Sequence, residues 1–154
     1  MRLPIQVGVF VVRPHGNSHQ YLLLHRVLKR MSFWQPVTGG VELGEAVIDT
    51  ARRELTEETG FDSTTVESTG FCYTFPVDQF FQSIYERPVH TITQHIFVAH
   101  VPDGAEPTLD PIEHDHYCWC SLDQALEKLY WWDDKEAIKR VEAFLLVGPV
   151  RLRT

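Results

Sequence analysis

Residues 39–61, GGVELGEAVIDTARRELTEETGF, constrain this chain more than any other stretch, because a glycine pair leads into a helix with three glutamates on one face. The spacing predicts a helix over Ala46 to Thr59. With Glu54 at zero, a step of about 100° per residue puts Glu57 at about −60° and Glu58 at about +40°. Ile48, Ala51 and Leu55 fall between about +60° and +120°, an adjacent apolar stripe suited to packing on a sheet. Gly60 stands where a left-handed residue closes a helix. Like charges at this spacing weaken a helix. A hard divalent cation offsets that cost, since such ions take carboxylate oxygens together with substrate phosphates. A solvated acidic face is the plainer alternative.

The glycine loop, the Arg53-Glu54 pair and the closing glycine stand in a fixed register. The run of Gly39, five residues, Glu45, seven residues, Arg53-Glu54-Leu55, one residue, Glu57-Glu58, one residue, Gly60-Phe61 resembles the Nudix box at every specified position. The resemblance implies an α/β fold, a Nudix-type α/β/α sandwich around a central mixed sheet. It implies hydrolysis of a phosphoanhydride in a small diphosphate-containing molecule. Glu54, Glu57 and Glu58 are then ligands of Mg²⁺, with Mn²⁺ as the substitute. Glu54 or a later carboxylate helps to deprotonate water, Glu45 and Arg53 support the loop–helix geometry, and backbone near Thr38 and Gly39 adds an oxygen ligand.

Two further runs are similar to the bacterial dihydroneopterin triphosphate pyrophosphohydrolase branch, also described as dATP pyrophosphohydrolases. They are FWQPVTGGVELGE and the set Glu113, His114, Tyr117 and Trp119. That similarity adds Glu113 to the metal-binding and catalytic set of Arg53, Glu54 and Glu57. It implies that a nucleoside or pterin triphosphate is cleaved to a monophosphate and pyrophosphate. A dinucleoside polyphosphate or a nucleotide sugar is the alternative substrate, and a non-catalytic nucleotide-binding module is the alternative function.

Charge agrees with this chemistry. The 154 residues suit one domain over 1–154, and the net charge of −7 disfavours nucleic acid and anionic membrane as partners. An acidic protein that handles polyphosphate needs cations in between. No apolar run reaches the roughly 20 residues of a membrane span. The segment MRLPIQVGVFVV alternates like a strand and lacks a signal-cleavage site. Three cysteines, Cys72, Cys118 and Cys120, are too few for a disulfide framework, which points to a reducing, cytoplasmic location.

Before the box, Ile5–Val12 and Gln20–Arg26 read as strands of a hairpin. Arg26, Lys29 and Arg30 form a basic stretch, either solvated or in contact with substrate phosphate. Phe33-Trp34 is either core or a platform for a flat ring, whose edge Gln35 would hydrogen-bond. After the box, Thr64–Phe75 reads as a strand with Cys72 as a buried small hydrophobe. The aromatic loop Pro76–Pro88 has the length of a lid or binding segment. Val89–Val101 is a strand on which His90, His95 and His100 do not share a face. His114, His116, Cys118 and Cys120 alternate onto one strand face and raise a zinc reading, against which stands the lack of a second ligand pair. Ser121 and Gln124 form a capping box. Trp131 and Trp132 read as core staples, and Asp133 or Asp134 as the cap of a last helix buried through Ile138, Val141 and Leu145. Gly148-Pro149 is expected to stop that helix.

Overall fold

The computed structural model describes residues 2–62, 64–77 and 90–147. The expected lid at 76–88 and the helix stop at 148–149 lie wholly or largely outside them. Alternating apolar residues build the central sheet. In β1 (Arg2–His15), Val7, Val9 and Val11 face one layer, while Phe10 and Val12 face the other. A turn at Gly16 and Asn17 leads into β2 (Ser18–Arg26), which pairs antiparallel with β1 as the expected hairpin. Leu22 and Leu24 point to the first layer, Tyr21 and Leu23 to the second.

Two short elements follow, a 3-10 turn at Leu28–Arg30 and β3 (Trp34–Gln35). Then β4 (Val37–Glu42) runs antiparallel to the first half of β1. Helix α1 (Val47–Thr59) lays Ala51 and Leu55, both fully buried, on the β1 and β4 face. Beyond it come β5 (Thr65–Pro76), β6 (Thr91–His100), β7 (His114–Cys120), α2 (Leu122–Lys128) and α3 (Trp132–Val147). The seven described strands form one mixed sheet, since β1 pairs parallel with β6 and antiparallel with β2 and β4. The first layer holds α1 and the second holds α2 and α3, giving the α/β/α sandwich expected from the box. No helix among the described residues is long and apolar enough to cross a membrane.

The capping box forms: the Gln124 N–H donates to Ser121 Oγ at 3.2 Å, and the Ser121 N–H donates to Gln124 Oε1 at 2.9 Å. Ala137, Ile138 and Val141 are buried, with Leu145 packed beside them. Other expectations fail for identifiable reasons. Cys72 is exposed, because edge strand β5 turns Phe71 and Tyr73 to the second layer and its opposite face there is uncovered. Helix α3 starts at Trp132, so Asp133 and Asp134 occupy its first turn and neither caps it. Trp131 and Trp132 are 45% and 68% exposed, not core staples. Trp131 instead packs edge-on against Phe33 and Tyr130 at the surface.

Candidate active site

Arg53 is the hinge of the box. Its Nε donates to Glu45 Oε2 at 2.7 Å, and Nη2 donates to Glu45 Oε1 and to the Gly40 carbonyl, each at 3.0 Å. Its Nη1 donates to Glu54 Oε1 at 2.8 Å and reaches Glu57 Oε2 at 3.4 Å. One guanidinium thus ties the glycine strand, the loop and the helix together, as its bidentate fork allows. Glu45 also accepts from Thr50 Oγ1 at 2.7 Å and from the Glu42 N–H at 3.1 Å. The Arg53 hydrogen bond, with these others, holds its carboxyl down at about 2. The same carboxylates push Arg53 above its ordinary value.

The three helix glutamates are not equivalent. Glu58 is 2% exposed and Glu54 13%, whereas the Glu57 side chain is 56% exposed at the rim. Burial pushes Glu54 up, opposed by hydrogen bonds to Glu58 and Arg53. Burial drives Glu58 well above the carboxylate range, reinforced by Glu54 and Glu113. The Thr38 backbone N–H works the other way. Such a pair shares a proton when nothing positive lies between its oxygens.

The far wall comes from β7. A Cα register of Arg26 with His114 and His25 with His116 makes Asp115 the extra residue of a bulge. His114 therefore turns inward and is 2% exposed, with Nε2 3.8 Å from Glu58 Oε1 and 3.3 Å from Gln35 Nε2. Burial, then the Arg26 charge, lowers it to about 4, so the imidazole is neutral. The bulge also breaks the expected single face: His114 points to the α1 layer, while Cys118 and Cys120 belong to the α2–α3 layer. The zinc reading of His114, His116, Cys118 and Cys120 fails for that reason.

One donor atom each from Glu58, Glu113 and His114 lies within 4.8 Å of the others. Glu58 Oε1 and His114 Nδ1 are buried without a hydrogen-bond partner. A cluster of buried oxygens that crowd one another and leave one lone is the donor set a hard divalent cation takes. The residues present fit such an ion.

The glycines open this space. A Cβ on Gly39 would overlap the Glu54 carboxyl group, and one on Gly40 would overlap the Arg2 guanidinium. Gly60, with φ of 75°, ends α1 and donates to the Thr56 carbonyl at 2.9 Å.

Of the residues outside the box, Arg26 and Gln35 lie on the α1 face with the carboxylates. Arg26 feels the charges of Glu58 and Glu113, and burial then the Arg30 charge lower it from its ordinary value. Trp34 does not share that face. Trp34 pairs with His25 and Gln35 with Leu24, and consecutive strand residues point to opposite sides. The expectation that Trp34 and Gln35 grip one ring together is corrected accordingly: Trp34 packs on the second layer, with Lys128 Nζ 4.9 Å from its ring centroid. Sequence reasoning missed two contacts. Arg30 Nη1 stands 3.4 Å from Glu113 Oε1, and Gln35 meets His114 across a separation of 79 residues. No local spacing signals either one.

Known proteins resemble this arrangement over most of its length. The NUDIX domain matches residues 2–141. Dihydroneopterin triphosphate diphosphatase of Haemophilus influenzae is 32% identical over 137 residues, covering 86% of this chain and 85% of that protein. The E. coli dihydroneopterin triphosphate pyrophosphohydrolase structure superposes with a TM-score of 0.77 at 25% identity, covering 96% of this chain and 98% of that one. A Myxococcus xanthus octanoyltransferase is 33% identical over 137 residues, or 89% of this chain, yet the chain spans only 36% of that protein's length. Box, fold and relatives agree: the chain belongs to the NUDIX domain family and is a Nudix hydrolase.

Proposed function

We propose that this hydrolase is a Mg²⁺-dependent pyrophosphohydrolase, with Mn²⁺ able to substitute, that cleaves a nucleoside or pterin triphosphate to a monophosphate and pyrophosphate. The observation that carries the reading is Glu58, buried, unpaired at Oε1 and crowded by Glu54 and Glu113. The substrate class is supported by the names of the Haemophilus and E. coli relatives.

Glu54, Glu57, Glu58 and Glu113 would hold the cation, with a backbone oxygen near Thr38 or Gly39 as a further donor. When bound, such a cation neutralises phosphate oxygens and makes water more acidic. The rest is positioning, which dominates phosphoryl transfer. Arg53 fixes Glu54 through Oε1 and a hydrogen bond to Glu58 steadies it further, which orients this carboxyl group to take a proton from the attacking water. Burial raises the basicity of that carboxylate. Arg26 lies on the same face beside Glu58 and Glu113 and is placed to meet a phosphate. Gln35, buried beside His114, can hydrogen-bond a heterocycle that enters from the α1 side.

The test is product analysis with dihydroneopterin triphosphate, the deoxynucleoside triphosphates, a dinucleoside polyphosphate and ADP-ribose in Mg²⁺. Pyrophosphate from a triphosphate is the expected product. Turnover confined to ADP-ribose or the dinucleotide overturns the substrate assignment. Tight nucleotide binding without metal-stimulated turnover overturns the catalytic one.

Gly39→Ala is expected to lower kcat about a hundredfold, the cost of a misplacement of roughly 1 Å at a reacting group. The new methyl meets the end of the flexible Glu54 side chain, which can swing away. The fold should then lose only about 1 kcal/mol, the lower end of overpacking costs. Parallel kinetics and denaturant unfolding check both halves.

A further inference from the structure

A second group of donors lies across β7 from Glu58. His25 and His116 are direct cross-strand partners on β2 and β7. Asp115, the bulged residue between His114 and His116, joins them, as bulges re-aim a side chain. Asp115 Oδ1 stands 2.7 Å from His25 Nδ1 and 2.9 Å from His116 Nδ1. One donor atom from each of the three lies within 4.8 Å of the others. His25 is 22% exposed and leans on Trp34, with ring centroids 5.0 Å apart, whereas His116 is 71% exposed. The group is thus held on one side and open on the other.

We propose that His25, Asp115 and His116 form a second cation site, selective for a borderline divalent ion of the zinc class. Two imidazoles and one carboxylate suit zinc or cobalt, whereas magnesium prefers oxygen alone. Tetrahedral donors at about 2.0–2.2 Å from zinc stand roughly 3.4 Å apart. The present 2.7 and 2.9 Å separations need to open by about 0.7 and 0.5 Å to reach that spacing, within reach of small side-chain rotations. Ser32 Oγ, 3.4 Å from His25 Nε2, supplies the outer partner that a metal-bound histidine uses to fix its ring. The remaining positions face solvent and would hold water.

The order Ser32, His25, Asp115 also mimics a hydrolytic triad. The Ser32 N–H, however, is already donated to the Val27 carbonyl at 3.3 Å, so it is not free to stabilise an oxyanion. The second imidazole, His116, has no part in such a triad, and it is the residue that makes the group a ligand set.

Cobalt titrated into the full chain at saturating Mg²⁺ tests the assignment through its visible absorption. The expected result is a d–d band of low coordination number that zinc displaces. His116→Asn and His25→Gln should each weaken cobalt binding at least about tenfold, the loss that even an outer partner of a metal site costs. Glu58→Gln should leave the band in place. A wild-type protein without the band, or one whose band survives His116→Asn, overturns the site. So does a band lost in Glu58→Gln and kept in the histidine variants, which would put cobalt among the box carboxylates. Covalent labelling of Ser32 by a fluorophosphonate, with no cobalt band, would overturn it in favour of the triad.

Discussion

Replacing Glu57 by Gln is expected to lower kcat about a thousandfold and leave the fold intact. The side chain is 56% exposed, and the contact it makes is the 3.4 Å approach of Arg53, an i,i+4 surface pair. Such pairs contribute about 0.5 kcal/mol or less. Stability should therefore change by no more than that. In the proposed mechanism the same oxygens help to hold the cation that balances the phosphate charge, a contribution of several kcal/mol to the transition state. About 4 kcal/mol corresponds to the thousandfold loss. Single-turnover kinetics at saturating Mg²⁺ and urea unfolding without metal separate the two effects. Full activity in Glu57→Gln would remove this glutamate from the machinery. A loss of activity matched by a loss of stability would make the effect merely structural.

The second large effect is on stability and lies on the other layer. Asp134 is 5% exposed in the first turn of α3, and burial, then the Asp133 charge, push it from 3.8 to about 7. Its place near a helix N-terminus favours the charged form, but only by about 1 kcal/mol, so desolvation wins. Between about pH 4 and pH 7 the folded chain keeps a proton that the unfolded chain has lost. Stability must then fall as pH rises through this window and level off above it. The span corresponds to about 4 kcal/mol. Asp134→Asn keeps the shape and removes the titration. Relative to wild type, the variant is expected to gain up to about 4 kcal/mol between pH 4 and pH 8, measured by denaturant unfolding across pH. A difference that does not vary with pH would mean that Asp134 titrates as an ordinary carboxylate.

These two acids also mark how unevenly the chain can be read. Glu57 belongs to a helix whose three glutamates, apolar stripe and glycine stop follow from periodicity alone, and α1 runs where that periodicity puts it. Asp134 looked like a cap. Its burial depends on where α3 settles against β5 and β6, and nothing within one helical turn specifies that.

The features legible in the chain are local ones. The register of Gly39, Glu45, Arg53 and the glutamates lies within 23 consecutive residues, so helix geometry fixes their mutual placement. The alternation in β1, β2 and β6, and the Ser121–Gln124 cap, are local in the same sense. Tertiary structure decided everything that depends on which strands become neighbours. One bulged residue, Asp115, sends His114 to Glu58 and His116 to His25, although the two histidines are only two positions apart. Strand alternation sends Trp34 and Gln35 to opposite layers. It also leaves the grading of Glu54, Glu57 and Glu58 to the depth at which α1 sits on the sheet. A side chain's charge and reach are written in the chain, but its dielectric surroundings and its distant partners arise only from packing.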